Sequence, residues 1–230
     1  MTASAAPSPD TRPRRVGLEV VLLLVAASAA VQLLVEGSDL ARLVLLWLQA
    51  LTLAAAVRSS DANRALVRIA TGVAAFAAVA ALAVFVVSGD MPKAPVGVVN
   101  GLLVGVAPVV IGAGLVRRLR REQTVAINTL AGVLAIYLLS GMFFSFVYSV
   151  IAAVEPDALF GPGVVPSVND QLYFSYVTLS TVGYGDLSPA ADLPRALAVL
   201  EMLAGQIYLV TVVALIVGHL GHSRPVGSRS

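Results

Sequence analysis

The sequence predicts an all-α membrane protein with six transmembrane helices and one re-entrant segment between the fifth and the sixth. Hydrophobic residues make up 58% of the 230 residues and charged residues only 12%, whereas soluble domains contain about 25% charged residues. The mean hydropathy is +0.91. Six long apolar stretches show no apolar/polar alternation, which excludes membrane strands. A soluble globule could not cover this much apolar surface, so the helices face lipid.

Each predicted span is long enough to cross a hydrocarbon core, which requires about 20 apolar residues at a rise of about 1.5 Å each. Charges and helix breakers occupy the joints, at residues 36–39, 58–61, 89–93 and 117–122. An alternative interpretation of the first span is a cleaved signal peptide, because three arginines precede it and Ala27-Ser28-Ala29 resembles a cleavage site. The six spans are residues 16–35, 40–57, 65–88, 96–116, 125–154 and 193–220.

The positive charges predict the orientation of these spans. If the N-terminus is cytoplasmic, the outer segments contain only Arg42, Lys93 and Arg195, and the other twelve of the 15 basic residues lie inside. Positive charges are concentrated on the cytoplasmic side of membrane proteins. We therefore expect a multi-pass protein of the plasma membrane with both termini cytoplasmic.

Several classes of partner are excluded by composition. The net charge of +2 and the lack of basic runs interleaved with aromatic residues argue against a nucleic-acid partner. The chain has no cysteine, and His219 and His222 are too few to hold a metal. Only residues 221–230 follow the last span, so we expect no small-molecule ligand domain there.

The segment between the fifth and sixth spans is too long for a turn and too polar to cross the membrane. It contains a short apolar run at residues 172–180, for which Asn169 or Asp170 is a reasonable N-cap. Gly183-Tyr184-Gly185 follows this run. Non-helical backbone at membrane depth is tolerated only where protein or a water-filled pathway satisfies it. We therefore expect a half-length helix that re-enters the membrane.

The residues after this half helix resemble a known motif. Thr181-Val182-Gly183-Tyr184-Gly185-Asp186 is similar to the selectivity filter of potassium channels, and the flanking spans resemble the six-helix, prokaryotic-type channels in arrangement. The resemblance is close over residues 173–186. It implies a pore helix and a filter loop around a central pore, a homotetramer in a lipid bilayer, and passive K⁺ conduction. K⁺ is then the permeant ion, with no cofactor and no enzymatic activity.

The resemblance also implies the ion ligands. These are the backbone carbonyls of Thr181, Val182, Gly183 and Tyr184 and the Thr181 hydroxyl, which replace the water around K⁺ without trapping it. Alternate residues must take left-handed backbone angles, which glycines adopt without a Cβ penalty at positions 183 and 185. Asp186 marks the outer mouth.

Other residues are candidates for supporting this filter. Many potassium channels have two Trp where this chain has Tyr173-Phe174. Tyr173 retains a donor for Asp186 and Phe174 does not, so we expect looser support. Glu201 is an acid inside an apolar span, and we expect it to hydrogen-bond the back of the pore helix or filter. By contrast, Glu19, Gln32 and Glu36 are interpreted as interfacial.

Two features of the last span, Gly205 and one set of regularly spaced side chains, can each be interpreted in two ways. Gly205 is either a hinge, as the resemblance suggests, or a site of close packing against the pore helix. A set of residues at helical spacing either lines an inner cavity or packs against other helices: Met202, Gln206, Leu209 and Val213.

The fourth span lacks a voltage sensor, since residues 96–116 contain no charged side chain. Four arginines at its inner boundary fit the positive-inside bias: Arg117, Arg118, Arg120 and Arg121. We therefore expect little or no voltage sensing from the peripheral four-helix domain. The predicted organisation is a disordered cytoplasmic tail (1–15), this peripheral domain (16–122), a pore domain (123–220) and a cytoplasmic tail (221–230).

The sequence leaves two alternative functional classes. Gly183-Tyr184-Gly185-Asp186 also fits the Gly-x-Gly-Asp pattern of intramembrane aspartyl proteases, but these need a second aspartate within a span and no span contains one. A non-conducting regulatory or scaffold subunit is the third class.

Overall fold

The computed structural model describes residues 17–34, 39–59, 93–121 and 127–222, with scattered helical residues between 68 and 83. The described part is helical and confirms the predicted all-α membrane class. The helices are α1 (Leu18–Leu34), α2 (Asp39–Ser59), α3 (Lys93–Arg121), α4 (Ile127–Val154), α5 (Pro156–Phe160), α6 (Val168–Leu179) and α7 (Asp192–His222). Of these, α2, α3, α4 and α7 are each long and apolar enough to cross a membrane, and α1 is an apolar helix of 17 residues.

The predicted boundaries need one correction. α3 is longer than the predicted span 96–116 and includes Lys93 and the arginines at 117–121, which had been assigned to the joints. Arginine favours the helical state, and a helix need not end where the hydrocarbon does. The predicted span 65–88 lies outside the described residues except for the scattered ones, and so do the tails at 1–16 and 223–230.

The main core lies between the first three helices and α4. Apolar side chains from α1, α2, α3 and α4 form one buried cluster, which also includes Leu172 of α6. α1 and α3 therefore pack on α4 of their own chain, and α2 packs on α1 and α3. Representative members are Val21, Val25, Leu46, Leu53, Leu103, Ile111, Leu139 and Met142.

Polar side chains are also buried in this cluster. Gln32 is 1% exposed and its Nε2 donates to Ser145 Oγ of α4 at 3.2 Å. The interfacial interpretation of Gln32 was therefore wrong, because α4 supplies a polar partner that turns it inward. Gln49 and Asn100 are buried as well, and Gln49 has no hydrogen-bond partner within the described part of the chain.

The half-length helix begins earlier than the sequence predicts. α6 starts at Val168, and its N-cap is Ser167 and neither Asn169 nor Asp170. Ser167 Oγ accepts from the Asp170 backbone N–H at 3.1 Å, and the Ser167 N–H donates to Asp170 Oδ2 at 2.9 Å. This reciprocal pair satisfies two free donors at the helix start, so one more turn becomes stable. Asn169 instead donates from Nδ2 to the Leu33 carbonyl of α1 at 3.1 Å.

Candidate functional site

The loop at residues 180–186 leaves the C-terminal end of α6. Its first three residues remain tied to that end, because the N–H groups of Ser180, Thr181 and Val182 donate to the carbonyls of Tyr176, Thr178 and Val177 at 2.9–3.0 Å. The segment that follows is tied to α5, where the Ala190 and Ala191 N–H groups donate to the Leu159 and Ala158 carbonyls. Both ends of the loop are therefore anchored.

The backbone of this loop alternates in handedness. Thr181, Gly183 and Gly185 have φ angles of +57°, +59° and +82°, which is the left-handed region at every second residue. A Cβ at Gly183 or Gly185 would meet no atom within 4 Å, so the backbone angle and not space is what requires glycine there. Within the described part of the chain, the carbonyls of residues 181–185 accept no hydrogen bond. Five main-chain oxygens therefore have free lone pairs.

Tyr173 and Tyr184 connect α6 to the far end of the loop, beside Asp186. Their rings stack at a centroid distance of 6.3 Å and an interplanar angle of 4°. The Tyr173 hydroxyl donates to Asp186 Oδ2 at 2.7 Å. This bond and backbone donors lower the pKa of Asp186 from its usual value. The same bond raises the pKa of Tyr173 to about 12.

Replacing Tyr173 with phenylalanine should raise the pKa of Asp186. The pKa of Asp186 is lower in the folded protein than in the unfolded chain. The hydrogen bond therefore stabilises the fold fully above the ordinary aspartate pKa, and this stabilisation is lost as the pH falls through the lowered pKa of Asp186. The raised pKa of Tyr173 preserves the bond up to about pH 12 on the alkaline side. A ¹³C NMR titration of Asp-labelled protein measures the effect, and Asp186→Asn identifies the signal. Equal titration midpoints in wild type and Tyr173→Phe would contradict the assigned bond.

Phe174 faces away from the loop. It is 5% exposed and packs edge to face against Tyr148 at 5.1 Å and Phe160 at 5.3 Å between ring centroids. It thus joins α4, α5 and α6 behind the loop, whereas its neighbour Tyr173 contacts loop residues directly. The looser support expected from the missing donor at 174 stays a prediction.

Glu201 is fully buried between α4, α6 and α7. The Tyr148 hydroxyl donates to its Oε2 at 2.8 Å, and Ser175 Oγ hydrogen-bonds its Oε1. Ser175 Oγ also contacts the Gly141 carbonyl at 2.7 Å. Because the Ser175 hydroxyl has a single hydrogen, all three contacts are satisfied together only when Glu201 itself donates one, as a protonated carboxyl does. This cluster joins the middle of α6 to α4 and α7.

Gly205 lies where α7 crosses the end of α6. A Cβ at this position would overlap the Leu179 carbonyl oxygen and lie 3.0 Å from the Leu179 Cδ1 atom. α7 is helical through this point from Asp192 to His222. Of the two interpretations of Gly205, the structure favours close packing against α6 over a hinge.

The remaining candidates on α7 differ in their contacts. Gln206 donates from Nε2 to Thr181 Oγ1 at 2.7 Å. Met202, Leu209 and Val213 are 37%, 38% and 57% exposed in the single chain. α7 is also the least covered span, with 17% of its apolar window buried against 39–56% for the other three. This face is therefore available to lipid, to a cavity or to another copy.

The sequence alone did not identify Gly141, Tyr148, Ser175 and Tyr176 as parts of the site. A Cβ at Gly141 would overlap the Tyr176 ring, so the glycine lets α6 approach α4. The Tyr176 hydroxyl then donates to the Leu138 carbonyl at 2.8 Å. A glycine and a tyrosine inside an apolar span were the available signals, but their partners lie on another helix.

Residues 132–220 match the model of a protein family described as ion channel. The match begins within α4, includes α5, α6 and the loop, and ends within α7, so it covers less than half of the chain. No curated protein matches the chain significantly. The chain is thus a multi-pass membrane protein with an ion-channel region in its C-terminal part, and this region coincides with the site described above.

Proposed function

We propose that the protein conducts K⁺ passively and selectively through a pore formed by four copies of the loop 180–186. The observation that supports this most is the run of free carbonyls at residues 181–185 in a loop of alternating handedness. Main-chain oxygens can replace the hydration shell of K⁺ without adding a charge that would hold the ion. The ligands are the carbonyls of residues 181–184 and the Thr181 hydroxyl, and Asp186 lies at the outer mouth.

The number of ligands calls for an assembly of several copies, and the resemblance to potassium channels implies four of them. One chain supplies one oxygen at each level of the loop, whereas a dehydrated K⁺ needs several around it. The exposed loop and the poorly covered α7 favour assembly of copies around a common axis, since Val182 and Tyr184 are 52% and 70% exposed in the single chain. In this arrangement the C-terminal end of α6 points its partial negative charge toward the cavity beneath the loop.

The peripheral helices do not supply a voltage sensor in this proposal. The charged residues of α3 lie at its ends, at Lys93 and Arg117–Arg121, so the membrane field would do little work on the helix. The excess of basic residues in the inner segments supports cytoplasmic termini in the plasma membrane.

Reconstituted protein between K⁺ and Na⁺ solutions should give a reversal potential near the K⁺ equilibrium potential. Thr181→Ala should keep the current and shift the reversal potential toward zero, because the innermost site loses its hydroxyl ligand. Recordings over a range of voltages should show no steep activation, and native mass spectrometry should give four copies.

Equal passage of Na⁺ by the wild-type protein, or an assembly that is not fourfold, would contradict the proposal. A steep conductance–voltage curve that is lost when Arg117, Arg118, Arg120 and Arg121 are neutralised would contradict its voltage-independent part. Leu209→Ala serves as a control for Thr181→Ala, since Leu209 is on α7 and contributes no ion ligand.

A further inference from the structure

Gln206 contacts Thr181, the innermost of the proposed ion-ligand residues. It lies one position after Gly205, and its Nε2 donates to Thr181 Oγ1 at 2.7 Å. Both side chains are exposed in the single chain, so the bond lies at the surface that four copies would turn toward a common axis. Its position differs from that of Glu201, which is buried behind α6.

Thr181 needs such a contact. Its φ of +57° lies in the left-handed region, where β-branched residues are rarely found and where surrounding contacts must hold them. The hydrogen bonds from the Thr181 and Val182 N–H groups to α6 hold the backbone on either side. These backbone bonds do not contact the Thr181 hydroxyl. Gln206 supplies the bond that holds the hydroxyl.

We infer that Gln206 is a positioning residue that sets the cation affinity of the innermost site by orienting the Thr181 hydroxyl. This inference rests on the proposed function. A hydroxyl oxygen has two lone pairs, so one accepts from Gln206 while the other binds the ion. Because the hydroxyl is already oriented, the ion does not have to order it on entry, and binding is stronger for that reason.

Block by internal Ba²⁺ tests this inference. Ba²⁺ has nearly the radius of K⁺ and twice its charge, so it binds the same oxygens more strongly and interrupts the current. Gln206→Met keeps the length of the side chain and removes the donor. We expect it to weaken internal Ba²⁺ block by at least about threefold, the effect of losing one hydrogen bond, and to shift the K⁺/Na⁺ reversal potential less than Thr181→Ala does, because the hydroxyl itself is kept.

A double-mutant cycle separates positioning from simple lining of the cavity. In a Thr181→Ala background there is no hydroxyl to orient, so Gln206→Met should have no further effect. In a Thr181→Ser background the effect should persist. Thr211→Val is the matched control, because it removes an exposed polar group from the same helix and should leave Ba²⁺ block unchanged.

The outcomes distinguish this inference from the proposed function. Unchanged block in Gln206→Met, or an effect that simply adds to that of Thr181→Ala, would overturn the positioning role and leave K⁺ conduction intact. If the wild-type protein conducts Na⁺ and K⁺ equally, both this inference and the proposed function are overturned. If Thr181→Ala passes no current, the double-mutant cycle can be measured by thermal unfolding. A bound ion stabilises the folded state, so the K⁺ concentration that gives half of the maximal increase in melting temperature is compared between the purified variants.

Discussion

Replacing Glu201 with alanine should lower the melting temperature of the purified protein by roughly 5–15 °C and abolish the current. The carboxyl is fully buried and is bonded to Tyr148 and Ser175. Without the Glu201 carboxyl, the Tyr148 hydroxyl has no acceptor, and the Ser175 hydroxyl loses one of its two hydrogen-bond partners. A buried polar group that loses its partner costs about 1–3 kcal/mol, and the cavity adds to this. Since Ser175 is in the middle of α6, the loop should shift as well.

Glu201→Gln should behave much like the wild type. Its amide oxygen can accept from Tyr148, and its NH₂ group can donate to Ser175 Oγ, which leaves the Ser175 hydrogen for the Gly141 carbonyl. Glu19→Ala is the matched control, because Glu19 is an acid near a helix end of α1 that is exposed in the structure. A Glu201→Ala protein with wild-type melting temperature and current would show that the cluster does not support α6. A Glu201→Gln protein as damaged as Glu201→Ala would show that the negative charge itself is required.

Replacing Gly205 with alanine should also destabilise the protein and eliminate the current. The added methyl group would overlap the backbone carbonyl of Leu179, and backbone cannot move aside as a flexible side chain can. Overpacking of this kind costs about 1–3 kcal/mol or more. Relief requires α6 to move away from α7, which would break the bond between Gln206 and Thr181 and displace the base of the loop. Thermal unfolding and single-channel recording measure the two effects.

Gly112→Ala provides the matched control for Gly205→Ala. The methyl group at position 112 would meet its nearest atom, Ile136 Cδ1, at 4.0 Å, which is an ordinary contact. Since alanine favours a helix interior over glycine by about 1 kcal/mol, this variant should be as stable as the wild type or more so. If Gly205→Ala were likewise stabilised and altered only opening and closing, the hinge interpretation would replace that of close packing.

Of the spans that the structure describes, the sequence predicted three closely, for physical reasons that are local. A stretch of about 20 apolar residues has few alternatives to a transmembrane helix. The described helices α2, α4 and α7 therefore start and end within two residues of the predictions. The left-handed angles at Gly183 and Gly185 were expected from the resemblance to the filter motif, and glycine adopts them freely.

The contacts between helices could not be predicted in this way. Gln32 was expected at the interface and is buried against Ser145. Gln206 was expected either to line a cavity or to pack against other helices, and its bond to Thr181 was not predicted. A helix that is apolar on all sides shows no preferred face in its sequence, so its rotation about its own axis is not specified locally.

The sequence by itself determined the all-helical membrane class, the positions of most of the described spans and the backbone conformations that the loop glycines permit. The sequence also placed Glu201 against the half-length helix and offered close packing of Gly205 on it, whereas the tertiary structure alone decided the particular partners: Tyr148 and Ser175 for Glu201, and Thr181 for Gln206. The physical reason is the range of the forces involved. Transfer into lipid depends on each stretch separately, whereas a hydrogen bond or a backbone contact requires two helices to meet at one depth and one rotation.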